Sequence, residues 1–391
     1  MEKSKILGCI VFTFFFFFIG QHPALASPNP NELEDTLLDE ISLDGVENYW
    51  NDVVGKYGGY VPDLEKTSIY EFIKNQDSLS IKGIFFGIIE YFFHEIILNG
   101  KLLGTLLMLT LFSILLQTMH SAFEKSTVSK IAYFVVYLIL IFIVLNSFYV
   151  AVSYVEEAIS SMTNFMVALL PLLLGLMATF GNVVSVSFFH PIIIFLINLS
   201  GVLVLKFILP LLFIATILKI VSNISENYKV TNLANLFRSF SLGTLGIFLT
   251  IFLGVISVQG TASAIQDGVA LKTAKFITGN FIPVVGRTFT DATDTILSAS
   301  LILKNAVGVV GLIIVLFVTL FPAIKIAAIA IIYKIAAAVL QPIGDGPVIS
   351  TLNTISNYIL FILATLLVVS LMFFLAIVII VVASNLTMLV R

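Results

Sequence analysis

The sequence predicts an all-α, polytopic membrane protein, and three observations carry that prediction. Only 11% of the 391 residues are charged, against roughly 25% in an average soluble domain. Hydrophobic residues make up 59%, and the mean hydropathy is +1.09. They gather in runs such as 102–119, 131–152 and 360–382, each close to the ~20 residues that carry a helix across hydrocarbon. A soluble enzyme of this length needs far more polar surface. Nucleic-acid binding is excluded too: 20 Lys+Arg against 23 Asp+Glu leave a net charge of −3, with no dense basic tract to release counterions.

Residues 1–26 read as a signal peptide. Lys3 and Lys5 form a basic start, residues 6–20 an apolar core, and Ala24-Leu25-Ala26 the small-x-small pattern of a cleavage site between Ala26 and Ser27. An uncleaved first anchor is the alternative. The single cysteine, Cys9, falls in this segment, so a mature chain without it has no thiol chemistry.

Residues 27–80 form an acidic exterior segment in which 12 carboxylates against Lys56, Lys66 and Lys74 leave −9. Val46, Tyr49, Trp50, Val53, Val54 and Tyr57 recur at helical spacing and predict an amphipathic helix with an aromatic stripe. Ser68 and Glu71 match a capping box opening a short helix over 69–74. Tyr49, Trp50 and Tyr57 are candidate docking residues for a partner; a cap packing on the chain itself is the other reading.

Residues 81–100 predict an interfacial helix, because Glu90, His94 and Glu95 interrupt an otherwise apolar surface. About nine spans come after it: six in 101–258 (102–119, 131–152, 165–180, 187–205, 207–221, 240–258) and three in 299–391 (300–321, 323–340, 358–382). Lys125 and Lys130, and Lys229 and Arg238, mark two cytoplasmic loops. Glu156 and Glu157 mark an exterior loop over 153–164. Nine crossings then put the mature N-terminus, 259–298 and 341–357 outside, and Arg391 inside.

No catalytic, cofactor-binding or metal site is expected. His94-Glu95 begins like a zincin helix, but Leu98 stands where the second histidine belongs. Glu90 and His94 read as a solvated interfacial pair, His190 as a membrane-edge imidazole, and Lys206, Lys325 and Lys334 as snorkelling cations. The stretch 259–298 carries the most signal. Gly279, Pro283 and Gly286 predict a helix–break–helix of re-entrant type, which persists at membrane depth only where it lines water or packs on protein. Asp267, Arg287, Asp291 and Asp294 join them as candidate pore or partner-contact residues. A solvated exterior loop is the alternative. The Gly/Pro cluster 341–347 is expected on the same side.

Several strings carry a family resemblance, among them HEIILNGKLLGTLL (94–107), SFFHPIIIFL (187–196), TAKFITGNFIPVVGRTFTDATDTI (273–296) and LQPIGDGPVIS (340–350). The chain closely resembles the stage III sporulation protein AE family of endospore-forming bacilli over almost all of its mature length. That resemblance implies a non-enzymatic, permease-like member of the stage III A assembly, in the mother-cell-derived membrane around the forespore. The partners it implies are the other stage III A proteins and, indirectly, the forespore stage II sporulation protein Q, in a channel sustaining development after engulfment. A homo-oligomer is also compatible with it. An autonomous secondary transporter and a structural scaffold are the competing functions.

Overall fold

The structure is a computed structural model that describes residues 43–65, 67–74, 80–122, 127–179, 182–224, 229–281, 285–344 and 346–390. The predicted cleavage site at Ala26 and Ser27, and Pro283 in the later segment, lie outside these residues. Every regular element among them is helical. Three short helices come first: α1 (Asp44–Tyr57), α2 (Pro62–Glu65) and α3 (Ile69–Lys74). Then come α4 (Ile81–Leu98), α5 (Gly100–Ala122), α6 (Thr127–Thr179), α7 (Val183–Leu203), α8 (Leu209–Ile224), α9 (Thr231–Phe281), α10 (Val285–Leu340) and α11 (Pro347–Val390).

The nine predicted spans fall on six apolar stretches long enough to cross a membrane: Gly100–Met119, Ile131–Thr179, Ser185–Asn223, Thr231–Ala274, Leu301–Ile343 and Pro347–Asn385. The difference has a physical cause. Glu156 and Glu157 do not mark a loop but lie within α6, and Pro322 sits inside α10 without ending it. Proline withholds one N–H, a loss that neighbouring groups absorb in a packed helix. Between α7 and α8 the chain widens into a π turn, Val204–Ile208, just ahead of Pro210. That turn keeps the two helices joined where the proline breaks the regular ladder.

Side-chain bonds fix the bundle register, and most of them involve α11. Tyr137 of α6 and Thr351 share a 2.7 Å hydrogen bond, as do Thr319 of α10 and Ser370. Ser356 donates to the Ala330 carbonyl (2.9 Å), and Asn182, just before α7, donates to Ser384 (2.8 Å). These pairs make α11 antiparallel to α10 and parallel to α6. α9 also runs parallel to α11, since Arg238 lies over the Phe361 ring and Phe252 meets Phe373.

Because α10 continues unbroken through Pro322, the cluster 341–347 lies at the opposite end of the bundle from the one expected. Gly344 and Gly346 lie beside Ile114 and Gln117 near the C-terminal end of α5. Asp267 belongs to the other end, where Asn182, Ser185, Ser384 and Asn385 gather. The cluster 341–347 therefore does not face 259–298. Residue 385 also sits away from the end that carries Asn223 and Arg238.

The predicted capping box at α3 is present: Ser68 N–H donates to Glu71 Oε2, and Glu71 N–H to Ser68 Oγ, each at 3.2 Å. Ser80 caps α4 by accepting from Gly83 N–H (3.3 Å), while its own N–H donates to Asp63 (3.1 Å). Asp63 thus ties α4 to the short helices before it.

Candidate functional site

The aromatic stripe of α1 is occupied by the chain itself. Trp50 is 1% exposed, packs on Phe72 and donates its indole N–H to the Thr67 carbonyl (3.2 Å). Tyr49 meets Phe165 of α6 edge-on, and Tyr57 stacks on Phe321 of α10 with centroids 3.8 Å apart. Tyr49 and Tyr57 therefore hold the cap against α6 and α10, while Trp50 packs within the cap on Phe72 of α3.

Where cap and bundle meet, a chamber of about 280 Å³ remains. Asp52, Lys56 and Tyr57 reach it from α1, Tyr91 from α4, Tyr154 and Glu157 from α6, and Val318, Pro322 and Lys325 from α10. Pro322 has no N–H to give the Val318 carbonyl, so this wall carries an acceptor that an ordinary helix turn would have used. The Lys325 ammonium sits 5.2 Å over the Tyr154 ring and 4.0 Å from Glu95 Oε1. Glu95 is almost buried, so its pairing with Lys325 offsets part of the desolvation of both charges. Lys325 is thus a partnered cation rather than a snorkelling one.

Burial, and then the negative charges of Asp52, Glu157 and Glu95, push the Tyr57 hydroxyl up to about 12. Burial and Glu95 raise Tyr91 as well. Both phenols stay protonated at neutral pH and can donate hydrogen bonds. The chamber is therefore suited to holding water or a small polar group between donors and acceptors. Sequence reasoning missed it because its parts come from four helices. The available signals were a Glu-Glu pair inside an apolar run and a lysine three residues after a proline.

A second polar cluster joins α7, α9, α10 and α11 at the far end. Asn182 precedes α7 and donates its amide to Ser384, while its side-chain oxygen makes no bond to the first turn. Asp267 of α9 takes over, accepting the Ser185 N–H at 2.9 Å. A carboxylate at a helix N-terminus also meets the positive end of the helix dipole. Asp267, a candidate pore residue by sequence, is 1% exposed and serves as a cap supplied by another helix. Asp267→Ala is expected to lower stability by ~1 kcal/mol, a usual magnitude for a lost N-cap. Asp267→Asn, which keeps an oxygen acceptor, is expected to retain most of it; thermal unfolding in detergent measures the difference.

Beside this cap, fully buried Lys304 of α10 donates to the Val381 carbonyl (3.1 Å) and to Asn385 Oδ1 (2.8 Å). For Gly279, Gly286, Arg287, Asp291 and Asp294 the structure describes the helical backbone only: Gly279 lies in α9 and the other four in α10. His190 is exposed on α7.

Comparison with known proteins agrees with the resemblance seen in the sequence strings. Stage III sporulation protein AE of Bacillus subtilis (strain 168) is 52% identical over 360 residues, which cover 92% of this chain and 90% of that protein. No solved structure matches the chain. The family model described as stage III sporulation protein AE matches residues 64–384. With most of its length matched in both ways, this chain belongs to the stage III sporulation protein AE family and has a role in sporulation.

Proposed function

We propose that the chain is a non-enzymatic membrane component of the apparatus joining mother cell and forespore after engulfment. In this reading it sits in the mother-cell-derived membrane, with its basic end cytoplasmic and its acidic cap outside. It works with the other stage III A proteins and, through them, with the forespore stage II sporulation protein Q. One observation carries the proposal. Five of the six apolar stretches are 39–49 residues long, about 58–74 Å as helix, whereas hydrocarbon is about 30 Å thick. Lipid covers only part of such helices, which leaves the rest to water, to the chain's own cap or to other proteins. A chain of this kind belongs in a multi-protein assembly.

The test is purification of the tagged full-length chain from membranes of sporulating cells, together with a reporter of late forespore gene expression. Other stage III A proteins are expected to co-purify, and deletion of the gene is expected to abolish reporter expression. A chain recovered alone, with an unaffected reporter in the deletion, would overturn the proposal. The charged chamber supports a second reading, an autonomous transporter with a site at Glu157 and Lys325. That reading requires Glu157→Gln to abolish function while co-purification persists.

A further inference from the structure

We propose that the basic pocket between α8, α9 and α11 binds a phosphate anion, presented by the headgroup of an anionic lipid or by a soluble phosphate. The site does not depend on membership of an assembly.

α8, α9 and α11 pack on one another in every pairing, and a cavity of about 210 Å³ remains among them. Lys219 of α8 and Arg238 of α9 bring two positive charges to it, and no carboxylate lines it. Among the described residues neither cation forms an ion pair. Like charges on one small cavity repel each other until an anion enters between them. Arg238 sits 5.3 Å over the Phe361 ring, which holds in place a planar fork suited to taking two phosphate oxygens at once.

The rest of the wall supplies donors. Asn235 and Asn357 each bring an amide. Thr354 accepts from the Asn223 amide at 3.2 Å, so its own O–H is left to donate. Tyr358, on the same wall, has a buried hydroxyl without a hydrogen-bond partner, a state that buried polar groups seldom keep. The volume falls below the ~300–1,000 Å³ of pockets for drug-sized molecules, so a compact anionic group suits it better than a large ligand.

The pocket also stands where a bilayer brings phosphate. The apolar stretch through α8 ends at Asn223, and that of α9 begins at Thr231. Lys219 and Arg238 lie ~6 and ~10 Å inside those ends, close to the ~5–8 Å that a headgroup layer adds on each side of the hydrocarbon. Leu360 of the pocket wall, and Leu236 and Phe240 on either side of Arg238 in sequence, are exposed and offer acyl chains an apolar surface. Basic pockets between membrane helices take phospholipid headgroups in this way.

The experiment uses the full-length chain purified in dodecyl maltoside. Native mass spectrometry counts bound dioleoylphosphatidylglycerol, and thermal unfolding follows stability. The parent is expected to retain this lipid and to unfold at a higher temperature with it, and to do neither with zwitterionic dioleoylphosphatidylcholine. Lys219→Gln with Arg238→Gln is expected to weaken retention ~30-fold, about fivefold for each cation. Asn357→Asp keeps both cations and adds a repelling carboxylate at the exposed rim, so it is expected to lose the lipid even if the double variant fails to fold. Lys229→Gln, outside the pocket, is expected to bind like the parent. Inorganic phosphate separates the two sources. Phosphatidylglycerol that phosphate does not displace assigns the site to a headgroup; stabilisation by phosphate without lipid retention assigns it to a soluble phosphate. Equal retention of the two lipids, a loss in Lys229→Gln as large as in the double variant, or no response to either anion would overturn the site. Co-purification of the other stage III A proteins is a separate readout, so failure of the site and failure of the assembly reading are told apart.

Discussion

Gly87→Ala is expected to loosen the cap formed by α1–α3, and Gly87→Val to detach it. A Cβ at residue 87 runs into the backbone carbonyl of Tyr60, with the Tyr60 carbonyl carbon at 3.0 Å and Val61 Cγ2 at 3.3 Å. Backbone cannot rotate away as a side-chain tip can, so α4 and the turn after α1 must separate. In a free helix, alanine is more stable than glycine by about 1 kcal/mol, so a loss of stability on Gly87→Ala has the opposite sign from propensity. Overpacking of this kind costs roughly 1–3 kcal/mol, and 3 kcal/mol raises the open population ~100-fold. Trypsin cleavage at Lys56 and Lys82 is expected to accelerate accordingly, because proteolysis follows the open population. Gly104→Ala is the control: a Cβ there meets nothing within 4 Å. Unchanged cleavage in Gly87→Val would mean that α4 does not pack on Tyr60.

Lys304→Glu is expected to prevent accumulation of folded protein. The Lys304 ammonium donates to the Val381 carbonyl and to Asn385 Oδ1, both of them acceptors. A carboxylate in its place faces a Val381 carbonyl that cannot donate, and only a flipped Asn385 amide could meet it. Each stranded buried polar group costs about 1–3 kcal/mol, and an unpaired buried charge costs several kcal/mol more. Lys304→Met removes the donors without adding a charge, so it is expected to fold with a lowered melting temperature. Size-exclusion profiles in detergent and thermal melts distinguish the three chains. A glutamate variant that melts like the parent would remove Lys304 from the α10–α11 contact.

These two positions show what the sequence could and could not reveal. The extent of α4, the capping box at Ser68 and Glu71, and the apolar face of α1 were all legible, because each depends on neighbours within a few residues. The span count was not. Glu156 and Glu157 interrupt the hydropathy pattern and look like loop residues, and Lys206 and Lys325 look like snorkelling cations near span ends. In the structure they lie within continuous helices, and Lys325 is held there by Tyr154 and Glu95. Periodicity also showed that Trp50 and Tyr57 share a face, but not that α3 covers the one and α10 the other. Asp267 stood out by its charge, yet its role depends on an N–H from residue 185, on another helix. Local pattern carries no record of such distant partners.

The position of α11 has a consequence for biogenesis. Thr351, Ser356, Ser370, Ser384 and Asn385 on this one helix bond groups of α6, of α10 and of the residue preceding α7. It is also the latest of the described helices to leave the ribosome. α6 and α10 enter the membrane before these polar partners exist, and Lys304 waits 81 residues for Asn385. The nascent bundle must therefore be sheltered, by the insertion machinery or by lipid-accessible water, until α11 threads between helices already in place. A ribosome stalled before residue 347 leaves Tyr137, Asn182, Lys304 and Thr319 without the α11 groups they bond, a substrate for membrane proteases rather than a partly working protein.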